Sequence, residues 1–194
     1  MKNLLLLVSL SLLISCSSKK DRSIAAYKEA EALYQSNDIA GSIEKLNKAI
    51  DISPDYTQAY ATRAIMKAEI KDFQNALIDI NKAIELAGKN GEYYYNRGLI
   101  RTSLLDYKNA LQDFEKAANI HPKDFASWNN IGKTKFQLGD FIGAVNAYNK
   151  TIELNPKFAK AYFNKANAQN KLMLKDSACF YFEKALQVLS LIHI

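Results

Sequence analysis

The sequence predicts an all-α protein, a solenoid of about five helix-turn-helix units. Three observations carry that expectation. A pattern of small and apolar residues recurs every 34 residues from Ser23 almost to the chain end. Within each period the apolar residues fall at helical spacing on two segments joined by a short turn. Gly (7) and Pro (3) are scarce in 194 residues, which disfavours an all-β fold with many tight turns. A helix pair of this size cannot bury its apolar face alone, so each unit needs neighbours.

Met1 to Ser15 precede the repeats, with Lys2 near the start and a mainly apolar run from Leu4 to Ile14 broken by Ser9 and Ser11. That is the three-part shape of a secretory signal, too short to span a bilayer. The following stretch, Leu13-Ile14-Ser15-Cys16, resembles the lipobox of bacterial lipoproteins. The resemblance implies cleavage before Cys16, diacylglycerol on its thiol, and acylation of the new amino terminus, a multi-chain anchor to the membrane. Ser17, in place of Asp, implies sorting to the outer membrane, facing the periplasm of the cell envelope. Residues 16–22 are expected to form a short polar tether.

Five units then follow: residues 23–56, 57–90, 91–124, 125–158 and 159–188. The fourth is the most regular, with helices expected over Ala126 to Leu138 and Phe141 to Leu154 around a Gly139-Asp140 turn. Eighth place in the units reads Ala30, Ala64, Gly98, Gly132 and Ala166, and twentieth place Ser42, Ala76, Ala110, Ala144 and Ala178. Small residues there let the two helices of a unit approach closely. Twenty-fourth place is bulky throughout: Leu46, Ile80, Phe114, Tyr148 and Phe182. Pro54, Pro122 and Pro156 punctuate three unit ends. Gly88 replaces Pro in the second unit and should stop its helix through a left-handed residue. The first unit has Ala26 and Glu29 at fourth and seventh places, a more polar face that suits a terminal cap. In the fifth, Met173-Leu174-Lys175 replaces the Gly-Asp-aromatic turn, which is expected to be looser or to have its apolar residues covered.

This column pattern resembles the tetratricopeptide repeat, including Leu138-Gly139-Asp140-Phe141 and Asn155-Pro156. The resemblance runs from Ser23 to about Val188 and implies a right-handed superhelical solenoid whose first helices line a concave face. Residues 189–194 (LSLIHI) match what a sequencing-library adapter encodes, so they are expected to be a scar on a truncated chain and are excluded from the fold.

Seventh and twenty-third places should face each other across each helix pair. They read Glu29 with Lys45, Arg63 with Asp79, Arg97 with Asp113, Ile131 with Ala147, and Lys165 with Tyr181. The pair reverses sign in the first unit and turns apolar in the fourth, the compensation expected of residues in contact. Contact between Arg97 and Asp113 is therefore predicted, at the modest energy of an exposed ion pair.

Composition narrows the function classes. The formal charge is +6, and loss of residues 1–15 removes Lys2 alone to leave +5. The excess is spread along the chain without blocks of like charge, unlike a nucleic-acid surface. The two histidines, His121 in a His-Pro turn and His193 near the chain end, cannot build a metal cluster. No Gly-rich phosphate loop occurs, and no Ser-His or Cys-His arrangement is available. No cofactor, metal, nucleic acid or small-molecule substrate is expected. Cys179 reads as a partly buried small apolar residue, with an intermolecular disulfide as the alternative.

Function is then expected from the surface. Sixth place is Asn96, Asn130 and Asn164 in successive units, a ladder whose side chains could each donate to and accept from the backbone of an extended peptide. Asn is also common at this place in the family. Beside the ladder stand Tyr95, Asn129 and Phe163 at fifth place, Lys133 and Asn167 at ninth, and Phe136 and Asn170 at twelfth. These ten residues are the candidate peptide-binding set. Tyr95 and Leu99 stand where a related subfamily clamps a terminal carboxylate, so that clamp is not reproduced. The expected protein is a membrane-anchored, non-catalytic adaptor, of the kind that includes pilotins and adaptors for proteases or cell-wall hydrolases. The rival expectation is the repeat region of a longer enzyme or multidomain envelope protein.

Overall fold

The computed structural model describes residues 18–192. Among them all regular structure is helical: α1 (Lys19–Gln35), α2 (Ile39–Ile52), α3 (Thr57–Glu69), α4 (Phe73–Ala87), α5 (Gly91–Ser103), α6 (Tyr107–Ile120), α7 (Phe125–Gln137), α8 (Phe141–Leu154), α9 (Ala159–Lys171) and α10 (Lys175–Ile192). The expected all-α class and its helix-turn-helix repeats are present. The described residues divide into two compact units, one through Leu86 and the other from Ala87. In the first, α1 packs on α2 and α2 on α3; in the second, α5 to α10 pack each on the next in sequence.

The same turn joins the helices of every repeat, and one residue makes it. Fifteenth place is left-handed in all five units: Asn37 (φ 65°), Lys71 (63°), Leu105 (61°), Gly139 (81°) and Met173 (62°). The next residue's N–H then reaches back to the carbonyl five residues earlier, as in Asp140 N to Lys135 O at 2.9 Å and Leu174 N to Gln169 O at 3.0 Å. These bonds satisfy carbonyls that a helix end leaves bare. The fifth turn is therefore not looser than the others, contrary to expectation. Nor is it covered: Met173 is 78% and Leu174 51% exposed. What it lacks is the cap. The side chains of Asp38, Asp106 and Asp140 accept the N–H of Gly41, Asn109 and Gly143 at 2.9, 3.4 and 2.8 Å, and the Leu174 side chain has no oxygen to offer.

Two boundaries differ from the sequence reading. Residues 16–22 are not a tether throughout, because α1 already begins at Lys19. A capping box explains the start: Asp21 N donates to Ser18 Oγ at 3.1 Å, and Ser18 N donates back to Asp21 Oδ2 at 3.0 Å. Cys16 lies outside the described residues. In the fourth unit α7 starts at Phe125 instead of Ala126, where the Asp124 carboxylate accepts from Ala126 N and Ser127 N. Gly88, at φ 67°, follows the last residue of α4 as expected. At the other end, α10 continues through Leu189 and Ser190 to Ile192.

Inside the repeats, size complementarity sets how closely helices approach. Eighth and twentieth places are buried in every unit. A Cβ added at Gly98 would meet the Phe114 ring at 2.6 Å, and one at Gly132 would meet the Tyr148 ring at 2.5 Å. Where twenty-fourth place is aliphatic (Leu46, Ile80), eighth place affords an Ala (Ala30, Ala64). In the fifth unit eighth place is Ala166, and the partly exposed Phe182 ring lies edge-on against Phe163.

The seventh and twenty-third places meet in all five units. Lys45 and Glu29 pair at 2.7 Å, Ile131 and Ala147 share one buried cluster, and the Lys165 ammonium sits 3.5 Å from the Tyr181 ring centroid. Arg63 donates to both oxygens of Asp79 at 2.8 and 2.6 Å, and Arg97 to both oxygens of Asp113 at 2.9 and 2.7 Å. These last two pairs differ from the expected exposed ion pair. Both aspartates are buried, and eleventh place supplies each with a second cation: Lys67 at 2.8 Å from Asp79, Arg101 at 2.5 Å from Asp113.

Candidate peptide-binding face

Helices α5, α7 and α9 carry the ten candidate residues, and the structure divides them into three groups. The first is committed internally. Asn130, 9% exposed, donates through Nδ2 to the Tyr95 hydroxyl at 3.0 Å and to the Ala126 carbonyl at 3.1 Å. Both of its amide protons are thus used. Asn129 is buried beside it, its Oδ1 facing Asn164 Nδ2 at 3.5 Å. Tyr95 is half-buried with its ring edge-on to Phe114. Burial pushes its hydroxyl pKa up, against a smaller opposite effect of the Asn130 bond. The ladder of three equivalent amides therefore does not form. Tyr95 lies 35 residues before Asn130, one unit away, and its hydroxyl takes the donor that the peptide was to receive.

The second group converges. Lys133, Phe136, Asn164 and Asn167 line one open cleft of about 370 Å³ with Gln137 and Tyr148. Phe136 is fixed edge-on against Phe141, and Asn167 Nδ2 donates one bond to the Phe163 carbonyl at 3.1 Å. The cleft has an aromatic floor, an ammonium at one side and carboxamides at another. It can hold an extended segment that offers backbone amides and an acidic or apolar side chain. Gln137 and Tyr148 were missed from sequence. Tyr148 stands at twenty-fourth place, where bulk reads as packing, and burial pushes its hydroxyl pKa well up. Its ring is almost fully buried, and the missing side chain of Gly132 lets it pack closely against α7.

The third group stands apart. Phe163, 51% exposed, lines a separate apolar cleft of about 500 Å³ with Ala159, Lys160, Phe182, Ala185, Leu186 and Leu189. Asn170 is exposed near the end of α9, and Asn96 is half-buried on α5; neither lines the Lys133 cleft. Cys179 is an exposed free thiol, not the partly buried residue expected. His121 is the C-cap residue of α6, as its turn predicted. Among the described residues no group of His, Cys, Asp and Glu could hold a metal ion, and no helix is long and apolar enough to cross a membrane.

The chain matches the family described as tetratricopeptide repeat over residues 91–124 and 159–188, and the family described as TPR repeat over residues 132–172. These segments are tetratricopeptide repeats. Solved structures extend the likeness over most of the chain. MamA is 22% identical, with a TM-score of 0.80 over 83% of this chain and 94% of its own. YrrB, described as a TPR protein with an unusual peptide-binding site, is 19% identical, with a TM-score of 0.76 over 86% of each chain. PilF of Pseudomonas aeruginosa is also 19% identical, with a TM-score of 0.76 over 89% of this chain and 78% of its own. At these identities the likeness is one of tetratricopeptide fold. No curated protein matches the chain.

Proposed function

We propose that this protein is a lipid-anchored, non-catalytic scaffold of the bacterial cell envelope that holds an extended segment of a partner protein. The observation that carries the reading is the cleft lined by Lys133, Phe136, Tyr148, Asn164 and Asn167. Its donors and acceptors suit a peptide backbone, and its ammonium favours an acidic residue in the bound segment. The fold it shares with YrrB, a peptide-binding repeat protein by its description, supports a binding role. The lipobox at Leu13–Cys16 supports anchoring through Cys16, on the outer membrane facing the periplasm. Confinement at a membrane raises the effective concentration of a partner without any new contact. That is the service a pilotin-like factor, or an adaptor for a protease or cell-wall hydrolase, performs.

Two experiments test the two halves. Lys133→Ala with Asn167→Ala should lower partner capture in pull-downs from envelope extracts while the helical circular dichroism stays unchanged. Capture equal to the parent's would remove the cleft from the reading. Separately, palmitate should label the parent and not Cys16→Ser; equal labelling would remove the anchor. Asn130 is unsuitable for this purpose, because its side chain holds Tyr95 and its loss changes packing as well as surface.

A further inference from the structure

The fourth repeat breaks the column of buried ion pairs, and the break leaves an open cleft on another face of α7. The second repeat shows what normally occupies that place. The Arg63 guanidinium lies over the Tyr60 ring, 5.5 Å from its centroid, and its Nη1 donates to Asn47 Oδ1 at 2.7 Å while Asp79 takes its other donors. Arg97 lies over Tyr94 in the same way, at 5.4 Å. At the matching places of the fourth repeat stand Ile131 for the arginine and Ala147 for its aspartate. The ring is Trp128, and Glu115 stands at the place of Asn47.

Two of the groups that receive a guanidinium are therefore kept in stronger form, an indole for a phenol and a carboxylate for an amide. The cation itself is gone. A cleft of about 360 Å³, lined by Glu115, Trp128, Ile131, Lys135, Asn146 and Ala147 among others, marks the space. Trp128 is held in position by its indole N–H, which donates to the Pro122 carbonyl at 3.1 Å. Among the described residues no cation lies over its ring, and Glu115 forms no salt bridge. Lys135 borders the cleft, but its ammonium leans to Asp140 at 3.7 Å.

We propose that this cleft is an arginine-binding site, taking the side chain of an arginine presented by a protein partner. The guanidinium stacks on Trp128 and bonds to Glu115 and Asn146, and its aliphatic stem lies on Ile131 and Ala147, where Arg63 and Arg97 run in their own repeats. A planar guanidinium stacks on the ring while its in-plane N–H groups reach fixed acceptors; an ammonium has no plane to stack, so arginine is preferred over lysine. The site shares no lining residue with the Lys133 cleft and does not depend on that cleft's role.

Trp128 is the only tryptophan of the chain, so its fluorescence reads the site directly. The probe is the blocked tripeptide acetyl-Gly-Arg-Gly-amide, with its lysine and citrulline counterparts as controls. Saturable change in emission is expected with the arginine peptide in the millimolar range, as suits one side chain. The lysine peptide should bind about fivefold more weakly, and the uncharged citrulline peptide should give no saturable change. Glu115→Gln, at an exposed position, should weaken the arginine response about tenfold. Ile131→Arg with Ala147→Asp restores the arrangement of the second and third repeats, so it should fold with an undiminished unfolding midpoint and abolish the response. No saturable change with the arginine peptide, an equal response to citrulline, or an unaltered response in the filled variant would overturn the proposal.

Discussion

Arg97 grips Asp113 through two parallel bonds, Nε to Oδ2 at 2.9 Å and Nη2 to Oδ1 at 2.7 Å, with the aspartate side chain 1% exposed. Arg101 adds a third bond from the next turn of α5. The carboxylate has thus exchanged all its water for fixed donors. Replacing one partner strands the others, so Asp113→Ala is expected to cost about 3–5 kcal/mol in urea unfolding. The fourth repeat shows that the network itself is dispensable. Arg97→Ile combined with Asp113→Ala, its apolar pairing, should cost clearly less than Asp113→Ala alone. A double variant as unstable as the sum of the single variants would contradict the coupling.

How far the sequence was legible follows from the same residues. Seventh and twenty-third places vary together, so their contact was readable without coordinates. Lys67 and Arg101 were not, because eleventh place reads Leu33, Lys67, Arg101, Lys135 and Gln169 and shows no partner of its own. The repeat register also put Asn130 on the first helix of its unit. It could not show that the Tyr95 hydroxyl, one unit earlier, captures its amide. Register fixes direction, and competition among neighbours decides availability. For that reason four of the ten candidates converge on one cleft while Asn129 and Asn130 are buried.

Close helix approach depends on matched sizes. At Gly132 an added methyl would stand 2.5 Å from the Tyr148 ring, which is itself almost fully buried. Gly132→Ala should therefore destabilise by about 1–3 kcal/mol despite the better helix propensity of alanine. The first repeat supplies the remedy, since Ala30 faces Leu46 there. Adding Tyr148→Leu to Gly132→Ala should recover part of the loss, read as the urea midpoint. Failure of the leucine to recover any would show that the ring is not the obstacle.

The fifth turn can be improved by its own siblings. Met173 holds a left-handed conformation that strains a side chain with a Cβ, and Leu174 stands where Asp38, Asp106 and Asp140 cap the following helix. Met173→Gly relieves the strain, and Leu174→Asp offers Ser177 N–H an acceptor. Each is expected to stabilise by about 1 kcal/mol, and both remove exposed apolar surface. Differential scanning calorimetry of the pair of single variants checks this. An unchanged or lowered midpoint for Leu174→Asp would mean that α10 starts elsewhere.

The first helix carries a pH dependence of its own. Asp21 accepts from the Ser18 hydroxyl at 2.8 Å and from Ser18 N at 3.0 Å, and these bonds hold its carboxyl below the usual 3.8. A depressed folded-state pKa means that the cap's contribution is fully present above the unfolded value. It is lost as pH falls through the folded one, below about pH 4. Amide exchange at Ser18, Asp21 and Arg22, whose N–H groups are bonded in the cap, should accordingly stay slowed at neutral pH and lose protection only in that acid window. Asp21→Asn keeps the side-chain length but removes the titrating charge, so its protection should be weaker at neutral pH and flat through the window. A loss of protection already centred above pH 4 in the parent would show that the capping carboxylate is not what holds the start of α1.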